Sequence, residues 1–233
     1  MFKKLLILFL SALLLFSCSK NKKIEGAIVE PTQEELGKLL YAEGVEALKE
    51  GDAFYAAKKF KESESLMSLY IWASKASLMA SYADYSRSSY TSAIFSLERH
   101  INNYPADKNM PYAHYLLAMC YYEQILDEKK DLAPLLKAKE KFEFIMKTYP
   151  DTDYGTDARF KIDLIVDQLA AKEMSIARFY MKTEKWIPAL NRLKIVAEKY
   201  ERTVFVEEAL HRLVEIYYRL GLEEEAKNAA SIL

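Results

Sequence analysis

Residues 44–60, GVEALKEGDAFYAAKKF, carry the pattern that decides the fold. Gly44 and Ala47 lie three apart, so in a helix these small residues share one face and leave room for a close neighbour. Glu50-Gly51-Asp52 then breaks the run with residue types that favour turns and helix starts. Ala56 and Phe60 follow four apart and stack on one face of a second helix. The stretch therefore reads as a helical hairpin, with an Ala and a large apolar residue of helix B meeting a small residue of helix A.

The same pattern returns four more times. Ala80 and Ala83 precede Tyr90, Ala93 and Leu97, and Asn103-Tyr104-Pro105 closes that copy. The third copy has Leu117, Ala118 and Tyr121, then Ala138, Phe142 and Tyr149-Pro150. Ala177 and Tyr180 open the fourth, followed by Trp186, Ala189 and Leu193. Val214, Tyr217, the turn Leu220-Gly221-Leu222 and Ala226 make the last. The helix-B alanines at 56, 93, 138, 189 and 226 are spaced by 37, 45, 51 and 37. A tetratricopeptide unit has a period of about 34 residues, so the surplus marks insertions. One is expected as a charged loop over Asp127 to Pro134. The other lengthens the fourth A helix, where Thr156 to Tyr180 lacks Pro and Gly and keeps Phe160, Leu164, Leu169, Ile176 and Phe179 at helical spacing.

Punctuation agrees with this reading. Pro105 and Pro150 follow helices they cannot extend, and Pro188 suits the first turn of a helix. No alternating run is long enough for a strand. The expected architecture is all-α, a tetratricopeptide-like superhelix of five antiparallel helix hairpins. Repeats 1–2 are assigned to 34–105, repeat 3 with its insertion to 106–150, and repeats 4–5 to 151–233. Such stacks bury each apolar stripe against the next repeat and present a concave surface of A helices to peptides or partner domains.

The first eighteen residues, MFKKLLILFLSALLLFSC, pair a basic start at Lys3 and Lys4 with an apolar run from Leu5 to Phe16. The run is short for a membrane span. Its ending, Leu15-Phe16-Ser17-Cys18, resembles a bacterial lipobox, with Phe16 bulkier than usual at its position. Residues 1–17 are expected to be cleaved and Cys18 lipidated, anchoring the chain. An uncleaved anchoring helix is the competing reading. Residues 18–33 form the lipidated end and a polar tether, ending SKNKKIEGAIVEPTQ.

Charge and chemistry narrow the function. The chain has 33 basic and 34 acidic residues, and loss of Lys3 and Lys4 with the leader leaves 31 against 34. That balance gives no support to nucleic-acid binding. With Cys18 lipidated, Cys120 has no disulfide partner, and its apolar setting reads as core. His100, His114 and His211 stand apart in sequence and form no metal-ligand set, and no nucleotide or nucleophile motif occurs. No enzyme, cofactor or metal is expected. The alternative of a different class, a surface-anchored hydrolase or carbohydrate binder, finds no convergent polar constellation.

A lipobox followed by five such repeats resembles the BamD family, tetratricopeptide lipoproteins of the machinery that assembles β-barrels in the bacterial outer membrane. The most specific stretch begins Tyr149-Pro150-Asp151-Thr152-Asp153-Tyr154-Gly155-Thr156-Asp157-Ala158. It continues through Glu173 and Ile176-Ala177-Arg178-Phe179-Tyr180 to Trp186-Ile187-Pro188-Ala189-Leu190-Asn191-Arg192. There are departures. Ser65-Leu66-Met67-Ser68 stands where Tyr-Pro often closes the first repeat, and Glu201 rather than Pro follows Tyr200.

The resemblance implies a scaffold at the periplasmic face of the outer membrane. Its carboxy-terminal repeats would dock on the POTRA domain of BamA nearest the barrel, and other Bam lipoproteins would join. Arg192, with Asn191 beside it, matches a family position that pairs with an acidic group on BamA. The amino-terminal repeats would receive the β-signal of unfolded outer membrane proteins, an extended peptide ending in an aromatic residue. Tyr41, Tyr55, Tyr82 and Tyr85 are its candidate lining. A tetratricopeptide pilotin that serves a secretin ring shares the lipobox and repeats and is the alternative.

Overall fold

Phe60 occupies the space that a side chain at residue 44 would need. A Cβ built on Gly44 would lie 2.9 Å from the Phe60 ring, so the first two helices approach closely only because residue 44 is Gly. The structure, a computed structural model, describes residues 31–124 and 132–233. Residues 33–233 form one compact unit. The leader and Cys18, like most of the expected 127–134 loop, lie outside the described residues.

Among the described residues there are ten helices and no strand. Hairpin 1 is α1 (Gln33–Lys49) and α2 (Ala53–Leu66); hairpin 2 is α3 (Tyr70–Ser86) and α4 (Tyr90–Asn103). Hairpin 3 pairs α5 (Met110–Glu123) with α6 (Ala133–Thr148), and hairpin 4 pairs α7 (Asp153–Lys182) with α8 (Trp186–Lys199). Hairpin 5 is α9 (Val206–Arg219) and α10 (Glu223–Ala230). Each helix packs on the next in chain order, and A helices also touch, α3 with α5 and α5 with α7. This is the tetratricopeptide-like all-α array expected from the repeat. Pro134 corrects one detail: it sits inside the first turn of α6 rather than in a loop, where its missing N–H costs little.

The helix-B alanines explain the stacking. Ala56, Ala93, Ala138 and Ala189 are completely buried, and Ala226 is 7% exposed. Core clusters form at the junctions between hairpins, so no hairpin closes its own core. One joins Ala56 and Phe60 of α2 to Ala80 and Ala83 of α3, and another joins Ala93 and Leu97 of α4 to Ala113 and Leu117 of α5. Helix α7, 30 residues long, spans two of these cores. Its first half buries Ala158, Ile165 and Leu169 against Phe142 and Ile145, and its second half buries Met174 and Ala177 against Ala189 and Leu193. The extra length of the fourth A helix is therefore packed structure. Cys120 is buried in the α4–α5 core, and burial pushes its thiol up to about 12.

The described turns between A and B helices in hairpins 1, 2, 4 and 5 share one device. Gly51, Ser88, Glu184 and Gly221 all have positive φ, and each stands two residues before its B helix. Glycine adopts that conformation freely, whereas Ser88 and Glu184 hold it against steric resistance.

Candidate partner-binding surfaces

Arg192 lies on α8 and turns back onto α7. Its Nη1 donates to Glu173 Oε2 at 2.9 Å, and the Glu173 side chain is 16% exposed against 38% for Arg192. The carboxylate is thus tucked beneath the guanidinium, which keeps part of its fork at the surface. Asn191 beside it is exposed. Nearby, Arg219 of α9 stacks over the Trp186 ring, 4.6 Å from its centroid, which ties the start of α8 to the end of α9. Arg178 of α7 forks onto Glu208 of α9, Nε to Oε1 at 3.1 Å and Nη2 to Oε2. That fork holds the Glu208 carboxyl below the usual carboxylate range. The two hairpins consequently present a laced charged surface with Phe179 and Tyr218 standing out of it, 60% and 74% exposed.

The four candidate tyrosines fall into separate contact groups. Tyr41 packs its ring on Phe60 and Trp72, at 5.2 and 6.3 Å between centroids. Tyr55, on a B helix, is exposed, with Lys59 Nζ 5.2 Å from its ring centroid. Tyr85 packs on the α4–α5 core together with Tyr112 of α5. Tyr112 and Tyr115 meet Tyr154 of α7 at 5.6 and 5.2 Å between centroids. Tyr82, 37% exposed, stands three residues before Tyr85 on α3. Tyr115 O–H donates to Asp157 Oδ2 at 2.5 Å. Burial pushes the Tyr85, Tyr112 and Tyr115 phenols up, so they stay neutral donors. Residues 112, 115 and 154 were not separable from core tyrosines by spacing alone; only contact between A helices sets them in one band.

A distinct cavity of about 670 Å³ opens at the start of α3, lined by Tyr70, Ile71, Trp72, Lys75, Lys108 and Asn109 among others. Ile71 is 74% exposed at its edge. Lys75 Nζ sits 5.2 Å from the Tyr41 ring and 5.4 Å from the Trp72 ring, so of the four tyrosines Tyr41 borders this cavity most directly. An apolar aromatic wall with two lysines suits a chain that offers an aromatic ring and a carboxylate. No sequence motif marked it, because its two walls lie more than thirty residues apart.

Behind that cavity His100 is completely buried, its Nε2 3.5 Å from Asp107 Oδ2. Neither imidazole nitrogen has a hydrogen-bond partner among the described residues. Burial lowers the His100 pKa, with Asp107 opposing, and burial also lowers that of His114. Both histidines fold neutral. A lowered folded pKa means that the stability is fully present above the unfolded value of about 6.5 and is lost as pH falls below it. Chemical denaturation from about pH 7.5 to about pH 5.5 should therefore show falling stability, and His100→Gln should flatten that dependence. An unchanged slope in the variant would remove His100 as a source.

A family model described as an outer membrane lipoprotein, YfiO, matches residues 33–232. A relative from Caulobacter vibrioides, named outer membrane protein assembly factor BamD, is 40% identical over 211 residues, 89% of this chain and 69% of its own length. A Rickettsia prowazekii protein of the same name is 37% identical over 231 residues, 99% of this chain and 90% of its own. One from Neisseria meningitidis, also so named, is 28% identical over 99% of this chain. With five stacked hairpins and the α7–α8 clasp in the matched region, the chain belongs to the YfiO/BamD family of outer membrane lipoproteins.

Proposed function

We propose that this protein is an outer membrane protein assembly factor, a lipid-anchored periplasmic scaffold that acts by binding. The observation that carries this reading is the match over almost the whole chain to relatives named for that role. None of the described helices is long and apolar enough to cross a membrane. Cys18 is the lipid attachment point, and the domain follows on its short tether.

Two surfaces divide the work. Hairpins 4 and 5 dock on the POTRA domain of BamA, where Arg192 meets an acidic group with Asn191 beside it. Glu173 supports this role physically: a guanidinium pinned at one nitrogen has already lost much of its rotamer freedom before the partner arrives. The first hairpins receive unfolded β-barrel clients. The cavity beside Tyr41 takes the terminal aromatic residue, Lys75 and Lys108 attract its carboxylate, and Tyr82 and Tyr85 of α3 offer hydroxyls to an extended backbone.

Arg192→Gln tests the BamA surface more cleanly than Arg192→Glu, because Gln sets no second carboxylate against Glu173. Loss of the charge is expected to weaken BamA capture about tenfold or more, with helical content by circular dichroism unchanged. Undiminished capture would take Arg192 out of the interface.

A further inference from the structure

We propose that the B-helix side of hairpins 1 and 2 is a docking surface for an anionic phospholipid bilayer. On α2, Phe54, Lys58 and Lys61 recur at i, i+4 and i+7 and form one exposed stripe. Lys61 lines two adjoining grooves, one shared with Phe54 and Arg87, the other with Phe95 and Arg99 of α4. Phe54 and Phe95 are 67% and 71% exposed, a high value for apolar rings. Arg87 holds its guanidinium over Phe54, 5.2 Å from the ring centroid.

The charges here are layered. The carboxylates lie inward: the Asp84 side chain is fully buried and that of Glu64 is 7% exposed. Their cations point outward. Lys61 Nζ lies 2.8 Å and Arg87 Nη2 2.9 Å from Asp84, and Arg99 Nη2 lies 2.6 Å from Glu64, with these cation side chains 33–44% exposed. Glu62 of α2, 3.9 Å from Lys58 and 3.5 Å from Lys59, and Glu98 of α4 are the outward carboxylates on the neighbouring turns of these two helices. Glu98 is engaged by the Tyr121 hydroxyl at 3.4 Å. Lys61, Arg87 and Arg99 are thus anchored from below and offered at the surface beside a phenylalanine, and Lys58 stands exposed on the same stripe. Rings that enter the headgroup boundary next to cations that meet phosphates are the chemistry of an interfacial membrane contact.

The tether selects a bilayer over an acidic protein. Only fourteen residues, 19–32, join Cys18 to hairpin 1, and even at full stretch they span no more than about 50 Å, which keeps hairpin 1 near any membrane that holds Cys18. This step rests on the anchor at Cys18 proposed above. The contact would set the orientation of the stack beneath the membrane.

The test uses the full lipidated chain with a Phe95→Trp reporter, in vesicles of phosphatidylethanolamine and brominated phosphatidylglycerol. Emission is corrected with the unsubstituted chain for Trp72 and Trp186. Quenching roughly twofold or more above that of a Tyr218→Trp reporter on hairpin 5 is expected, reduced by Lys58→Glu and by high salt. A chain that floats with the vesicles while Phe95→Trp is quenched no more than Tyr218→Trp overturns the proposal alone. So does quenching that Lys58→Glu leaves intact. A reporter shielded in native membranes but unquenched in pure lipid assigns the face to a protein, and also overturns it. Failure to float at all overturns the Cys18 anchor, and this proposal with it.

Discussion

Gly155→Ala is expected to destabilise the protein by about 3 kcal/mol, lowering the melting temperature by about 6–12 °C. Gly155 stands in the first turn of α7, where Thr152 caps the helix. Thr152 Oγ1 accepts the Gly155 N–H at 3.0 Å and donates to the Tyr149 carbonyl at 2.8 Å. The chain turns so tightly here that a Cβ on residue 155 would lie 2.2 Å from the Tyr149 carbonyl oxygen and 3.1 Å from Pro150 Cα. Both obstacles are backbone, so no side chain can swing aside; the turn must open or the cap must break. Thr156→Ala, one residue along and exposed, should change stability by no more than about 0.5 kcal/mol. Thermal melts followed by circular dichroism decide the matter. If Gly155→Ala melts with the unsubstituted protein, the close turn from α6 into α7 is not as described. The consequence reaches function, because α7 carries packing from the core shared by hairpins 3 and 4 to the core shared by hairpins 4 and 5.

The second large effect concerns Asp84, and its sign lies in an asymmetry. Removing both cations, Lys61→Met with Arg87→Met, should cost about 3–5 kcal/mol, because a buried carboxylate is left without a partner. Removing the anion, Asp84→Asn, should cost only about 1–2 kcal/mol. The difference follows from exposure. The Asp84 side chain is fully buried, whereas those of Lys61 and Arg87 are 44% and 33% exposed and regain water when the anion goes. Urea denaturation with a constant slope measures both. Equal losses, or a larger loss in Asp84→Asn, would show that the cations rather than the carboxylate bear the desolvation.

Much of the fold was legible because its determinants are local and periodic. Ala56 and Phe60 declare a helix face within five residues, and Gly44 declares the close approach that receives it. The length of α7 could be read from an apolar spacing uninterrupted by Pro or Gly. The motif from Tyr149 to Ala158 was visible as a motif, but the need for Gly155 was not, because the obstacle is a carbonyl placed there only when the turn has formed. The positive-φ position before four of the B helices was legible at Gly51 and Gly221 and hidden at Ser88 and Glu184, whose residue types do not announce it.

The sequence alone determined the helical hairpin, its recurrence and the punctuation between copies, since each depends on side chains within a turn or two of one another. Tertiary structure alone decided which charges meet. Arg192 with Glu173, Lys61 with Asp84, Arg99 with Glu64 and Arg178 with Glu208 all join residues 19 to 35 positions apart on different helices. The rotation of each helix against the next, set by how small and large residues interlock, brings those partners together, and no spacing along the chain encodes that rotation in a form that can be read before the helices pack.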